Sequence, residues 1–133
     1  MAYLGKLYKH DKDENFDTFL NSLDFPADII AAYSNSKPDH KLEKNGDSYT
    51  LTTITPDQTK VVTFKDGVEF DEEVTGGRVV KTTFTVDGNT LTQVQKFTDV
   101  IAITKKREYF EDKLILTLTW TNWDGIARRY YKV

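Results

Sequence analysis

The sequence predicts an all-β chain: a ten-stranded antiparallel up-and-down β-barrel capped by a short helix-turn-helix lid. Three observations predict it. Turn signals recur about every ten residues after Pro38. The runs between them are rich in Thr, Val, Ile, Phe and Tyr, which favour a pleated surface. Only the segment between Asn15 and Pro38 carries helical periodicity instead.

The first element is a strand ahead of the helices. Phe16, Phe19, Leu20 and Leu23 then follow the spacing of an amphipathic helix, with Asn15 placed as its N-cap. Asp24-Phe25-Pro26 breaks that helix, and Pro26 suits the first turn of a second one. The second helix runs to about Ser34, with Ile29, Ile30 and Tyr33 on one side. It ends before Pro38, which excludes the helical region for the residue ahead of it. The turns that follow are Asn45-Gly46, Pro56-Asp57, Asp66-Gly67, Gly76-Gly77, Asp87-Gly88, Glu111-Asp112 and Asp124-Gly125. Counting the strand-like runs gives roughly nine strands after the helices. An open sheet of that size leaves long edges, and closure into a barrel removes them. Two short helices suffice as a lid over one end, not as a cover for a sheet face.

A length of 133 residues suits a single domain, 1–133, with a core that needs no staples. The chain has no cysteine, which removes disulfides and thiolate metal sites and fits a reducing compartment. His10 and His40 stand far apart in sequence, so neither a metal site nor a histidine catalytic cluster is expected. The net charge of −3 is made of interspersed signs, unlike the basic stripe of a nucleic-acid surface. Met1 to Tyr8 contains no apolar run of secretory type, and no segment approaches a transmembrane length. The expectation is a cytoplasmic monomer. Eight Phe, seven Tyr and two Trp exceed the needs of a small core and suggest a lumen or mouth lined with rings.

Strand parity points to chemistry. In the run Lys113 to Trp120, Leu114, Leu116 and Leu118 share the face expected to point inward. In Ile126 to Val133, Arg128 and Lys132 suit solvent, which turns Ala127, Arg129 and Tyr131 inward. In Val100 to Tyr109, Ile101 and Ile103 mark the inward face, which also carries Lys105 and Arg107. An arginine in a strand is ordinarily a solvated surface charge. Here two inward-parity arginines lie on strands separated by one leucine-lined strand, so they converge. Buried guanidinium groups need an anion or ordered water, and their planar fork matches a carboxylate. Tyr131 shares the face of Arg129 and offers a hydroxyl donor. No nucleophile–base pair accompanies them, so no catalytic residue, metal or cofactor is expected.

With these residues in view, the chain resembles the intracellular fatty-acid-binding protein family nearly end to end, and insect midgut members most. Tyr8, Asn15-Phe16-Asp17 and Phe19-Leu20 resemble the N-terminal signature, with His10 where an aliphatic residue is usual. The segments 43–47, 67–72 and 86–88 resemble family hairpins. Arg107-Glu108, Asp112 to Thr119 and the Arg129-x-Tyr131 spacing are especially close. The resemblance implies a ten-stranded β-clam that carries long-chain fatty acids. It implies that Arg107, Arg129 and Tyr131 hold the carboxylate, and that Phe16, Leu20, Leu23 and Tyr33 line the tail region or lid beside Leu116 and Leu118. It places a portal between the second helix and the turns near Asp57 and Gly76. Asp57 stands where many relatives carry a portal phenylalanine, and Lys105 where an aliphatic residue is common.

Other readings share the barrel. A retinoid carrier would use the same paired arginines, since retinoic acid is also a carboxylate. A lipid isomerase or synthase needs a reactive group in the lumen, and without cysteine His40 is the sole weak candidate. Ile29 and Ile30 fit either packing against the barrel rim or transient membrane contact during delivery.

Overall fold

The computed structural model describes residues 3–133; of the expected domain, Met1 and Ala2 lie outside the described residues. β1 (Leu7–Glu14) leads into α1 (Phe16–Ser22) and α2 (Ala27–Asn35). Nine strands follow: β2 (Asp39–Asn45), β3 (Ser48–Ile54), β4 (Thr59–Lys65), β5 (Phe70–Val74), β6 (Arg78–Asp87), β7 (Thr90–Lys96), β8 (Ala102–Tyr109), β9 (Lys113–Trp120) and β10 (Trp123–Lys132). They form one sheet in the order β4-β3-β2-β1-β10-β9-β8-β7-β6-β5, antiparallel throughout. The sheet curls into a nearly closed barrel, as expected.

No backbone ladder joins the β4 and β5 edges. Side chains span the gap. Lys60 Nζ on β4 donates to Glu72 Oε2 on β5 at 3.1 Å, and Phe64 stacks on Phe84 of β6 with ring centroids 4.1 Å apart. The edge that closure was expected to remove is thus clasped by an ion pair and a ring stack.

The inward faces are those the parity predicted. Leu114, Leu116 and Leu118 are buried on β9, Ile103 and Arg107 on β8, and Ala127, Arg129 and Tyr131 on β10. Each leucine withdrawn from water contributes roughly 1.5–3 kcal/mol. One end of the barrel is filled by Tyr3, Tyr8 and Tyr109; Tyr3 stacks on Tyr109 at 4.6 Å, and Tyr8 Oη donates to the Phe110 carbonyl at 2.8 Å.

The helices cover the other end. Trp120 Nε1 donates to Ser22 Oγ at 2.8 Å, and Phe19 packs edge-on to Trp123 at 5.6 Å. α1 therefore sits firmly on β9 and β10. α2 has no fully buried residue: Ile30 and Tyr33 pack against the core, Phe25, just before it, meets Phe97, and Ile29 meets Gly76. A Cβ at Gly76 would stand 2.6 Å from Ile29 Cδ1, and its φ of +91° is itself a glycine conformation.

Two local expectations are corrected, and one turn had no signal in the sequence. Asn15 occupies the N-cap position but does not cap: its φ is 61°, and its Nδ2 donates to the Ile126 carbonyl at 3.1 Å. Asp124-Gly125 is not a turn but lies inside β10, where the sheet register shifts between Trp123 and Ala127. The Trp123 indole folds over Gly125 where a Cβ would stand, so this glycine serves close approach, and the turn falls at Thr121-Asn122. The β7–β8 turn carries no Gly or Pro. Thr98 Oγ1 builds it by accepting from the amides of Val100 and Ile101 at 3.2 and 3.0 Å.

Candidate functional site

Arg107 and Arg129 flank Leu116 in direct register: Arg107 pairs with Leu116 across β8–β9, and Leu116 with Arg129 across β9–β10. Two strand spacings separate the arginine backbones by roughly 9–10 Å. One step along, Tyr109, Leu114 and Tyr131 form a parallel row; one step the other way, Lys105, Leu118 and Ala127 form another. Seven predicted site residues, Arg107, Arg129, Tyr131, Phe16, Leu20, Leu116 and Leu118, are buried. The eighth, Tyr33, is half-buried on α2 and hydrogen-bonded to Thr75 in the β5–β6 turn, so it belongs to the lid margin.

The two arginines differ in what they already hold. Arg129 Nε donates to Asp13 Oδ1 at 2.9 Å, and its Nη2 donates to Asp13 Oδ2 at 3.4 Å and to the Ser36 carbonyl at 2.7 Å. Phe16 lies over the guanidinium, 4.1 Å from ring centroid to Cζ, so this ring packs the arginine as well as lining the lid. Asp13 is a protein anion for Arg129 that the sequence reading did not name. Burial works against its ionisation, but the hydrogen bonds and charges of His10 and Arg129 outweigh that and hold its carboxyl below the usual range. Arg107 is less satisfied. Its Nη1 donates to Gln93 Oε1 at 3.0 Å, while its Nε is buried without a partner.

The hydroxyl of Tyr131 is likewise buried without a partner, as is that of Tyr109. Burial pushes the Tyr131 phenol up to about 12, against the lowering pull of Arg129 and Arg107. It stays neutral and able to donate. Both histidines reach this tyrosine although they stand far apart in sequence. His10 on β1 meets its ring edge-on at 5.6 Å, and His40 on β2 lies at 4.7 Å. Burial, then the charges of Arg107 and Arg129, lowers the His40 imidazole well below its ordinary range. It is therefore neutral at physiological pH. Among the described residues no group of three or more His, Asp, Glu or Cys is placed to hold a metal.

A second polar cluster went unrecognised in the sequence. Glu72 on β5 is 6% exposed, and its Oε1 accepts from Thr82 Oγ1 at 2.7 Å, Gln95 Nε2 at 3.0 Å and Gln93 Nε2 at 3.1 Å. With Lys60 on Oε2, both carboxylate oxygens are occupied. Burial alone would raise this carboxyl; the Gln95 bond, Lys105, Lys60 and Thr82 outweigh it and bring it to about 2. Gln93 connects this cluster to Arg107. The missed signal was parity again: Gln93 and Gln95 share a face with Leu91, and Glu72 with Phe70 and Val74. Asp13 was hidden by a bulge in β1 between His10 and Lys12, which shifts the pairing by one residue and brings Asp13 opposite Arg129.

Chemically, the inward face presents two guanidinium groups in one row and a neutral phenol in the next, along a wall of leucines.

A family model described as the Lipocalin / cytosolic fatty-acid binding protein family matches residues 6–124. Fatty acid-binding proteins 1 and 2 of Manduca sexta are each 49% identical to the chain over 132 residues, with 99% of both chains covered. The solved fatty-acid-binding protein from Manduca sexta superposes with a TM-score of 0.90 at 50% identity, covering 98% of this chain and 99% of that one. A Schistosoma mansoni fatty acid binding protein, solved in complex with arachidonic acid, gives a TM-score of 0.85 at 29% identity, with 98% and 95% covered. From a family model matched along most of its length and relatives this similar end to end, the chain belongs to the lipocalin and cytosolic fatty-acid binding protein family.

Proposed function

We propose that this chain binds and transports long-chain fatty acids in the lumen of its barrel, with the carboxylate held by Arg107, Arg129 and Tyr131. The observation that carries the reading is the pair of buried donors without protein partners, Arg107 Nε in the Leu116 row that it shares with Arg129, and Tyr131 Oη in the adjacent Leu114 row. Buried donors left unpaired cost roughly 1–3 kcal/mol each, and a ligand carboxylate or water relieves that cost. Arg129, fixed by Asp13 and Ser36, offers its remaining donors from a rigid mount. The names of the relatives, and the arachidonic acid bound by the Schistosoma protein, support the choice of anion.

The affinity divides unevenly. Each methylene of the tail that leaves water contributes about 0.8 kcal/mol. Charge-assisted hydrogen bonds to the head contribute roughly 1.5–3 kcal/mol. Leu116 and Leu118 line the tail's path and Leu20 and Tyr33 the lid, so the tail sets the strength of binding and the arginines its orientation. The protein acts as a monomer in the cytoplasm. Ligand enters past α2, which has no fully buried residue. Ile30 packs against the core and Ile29 on Gly76, so any membrane contact by this helix accompanies its opening.

Calorimetric titration of wild type and Arg129→Gln with oleic acid and with oleyl alcohol tests the reading. The variant is expected to weaken the acid much more than the alcohol. Equal losses for both would count against a carboxylate role. In the same assay, displacement of oleic acid by all-trans retinoic acid at lower concentration would transfer the reading to a retinoid carrier.

A further inference from the structure

Lys105 is left over from both polar clusters. It lies on β8 two residues from Arg107, with Gln93 and Leu118 as its cross-strand neighbours. The charges acting on it are lumenal: Arg107, Glu72, Lys60 and Arg129. It is half-buried, yet among the described residues its ammonium makes no hydrogen bond or ion pair. The polar groups around it are already committed. Gln93 and Gln95 donate to Glu72, Gln93 Oε1 accepts from Arg107, and Lys60 answers the remaining Glu72 oxygen.

A saturated tail sliding past this position strips water from an unpartnered amine and returns nothing, which is unfavourable. A tail with an oxygen at that depth returns a charge-assisted hydrogen bond. Burial, reinforced by Arg107, holds the Lys105 ammonium below the ordinary lysine range at about 8. It therefore remains mostly protonated, and a donor, at neutral pH. Lys105 lies on the lid side of Arg107, so a tail anchored by its head group runs past it. Two residues of strand amount to roughly 7 Å. An extended alkyl chain covers that in about five to six carbon–carbon bonds of ~1.5 Å, each inclined to the chain axis.

We propose that Lys105 forms a second polar subsite partway along the lumen, which selects long-chain acids bearing a hydroxyl or keto oxygen in the proximal half of the chain. The inference rests on the fatty-acid reading above and adds a substrate class to it. Lys105 donates to the substituent oxygen, while Arg107, Arg129 and Tyr131 keep the carboxylate.

The test is calorimetric titration of delipidated wild type, Lys105→Met and Lys105→Arg. The ligands are stearic acid and two hydroxystearic acids, one hydroxylated near the sixth carbon and one near the twelfth. Wild type is expected to favour the sixth-carbon isomer over stearic acid by roughly tenfold, in keeping with one charge-assisted bond. Lys105→Met should lose that preference and bind stearic acid at least as tightly as wild type. Lys105→Arg should keep the preference, and it carries the test if the methionine variant does not fold. An equal loss for all three acids in Lys105→Met would make Lys105 a head-group ligand and overturn the inference. Absence of positional preference in wild type would overturn it as well, with the fatty-acid reading intact. If no acid binds wild type at all, that reading fails and the inference with it.

Discussion

Replacing Glu72 with Gln removes one negative charge from the side-chain clasp across the β4–β5 gap. The amide keeps an acceptor for Thr82, Gln93 and Gln95, but its NH2 faces Lys60 Nζ, donor against donor. The size of the effect follows from linkage. The carboxyl moves from 4.5 to about 2, and this shift corresponds to about 3 kcal/mol of stability. Breaking a buried ion pair by removing one partner costs roughly 3–5 kcal/mol. Lys60 is 39% exposed and can recover water, which favours the lower figure. Urea unfolding at neutral pH should therefore show Glu72→Gln less stable by about 3 kcal/mol. The sign of the pH dependence provides a second readout. The depressed pKa stabilises fully above about 4.5 and is lost as pH falls toward about 2. Wild type should lose this contribution over that window, and the variant should not. A stability loss under about 1 kcal/mol, or the same acid slope in both proteins, would refute the clasp.

Lys105→Met should stabilise the ligand-free protein by about 2 kcal/mol at neutral pH, a discounted figure because the side chain keeps some water. The wild-type penalty grows as pH falls from 10.5 through about 8, so the two unfolding curves should converge in alkali; a constant difference would contradict the burial account. Gly76→Val places a branched side chain against Ile29 at a φ of +91° and should unseat α2. Stopped-flow release of a fluorescent fatty acid should then accelerate several-fold, and an unchanged rate would indicate that ligand leaves by another route.

Much of this molecule was legible in the sequence because a strand has period two. Leu114, Leu116 and Leu118 alternate cleanly, and the same alternation located Arg107, Arg129 and Tyr131 without their neighbours. The hairpin turns were legible where glycine chemistry makes them, as at Asp87-Gly88, where Gly88 has a φ of 60°. Three features were hidden for physical reasons. The bulge in β1 changed the register, so Asp13 did not announce itself as the partner of Arg129. The turn at Thr98 is built by a hydroxyl rather than by Gly or Pro. Glu72 sits on a short edge strand whose acidic run, Asp71-Glu72-Glu73, resembles solvent-facing sequence until its hydrogen-bond partners are in place. The two histidines show the same limit, since their approach to Tyr131 depends on β1 lying between β2 and β10.

The central claim, that the lumen holds an ionised fatty-acid head group at Arg107, Arg129 and Tyr131, is tested most directly by NMR. Oleic acid labelled with carbon-13 at its carboxyl would be bound to the protein and titrated with acid. The guanidinium groups and the tyrosine hydroxyl favour the charged form, so the bound carboxyl signal should stay in its ionised position well below the ordinary carboxyl range. It should shift only where the barrel itself unfolds. A bound carboxyl that titrates like an exposed acid, with the protein still folded, would contradict the account.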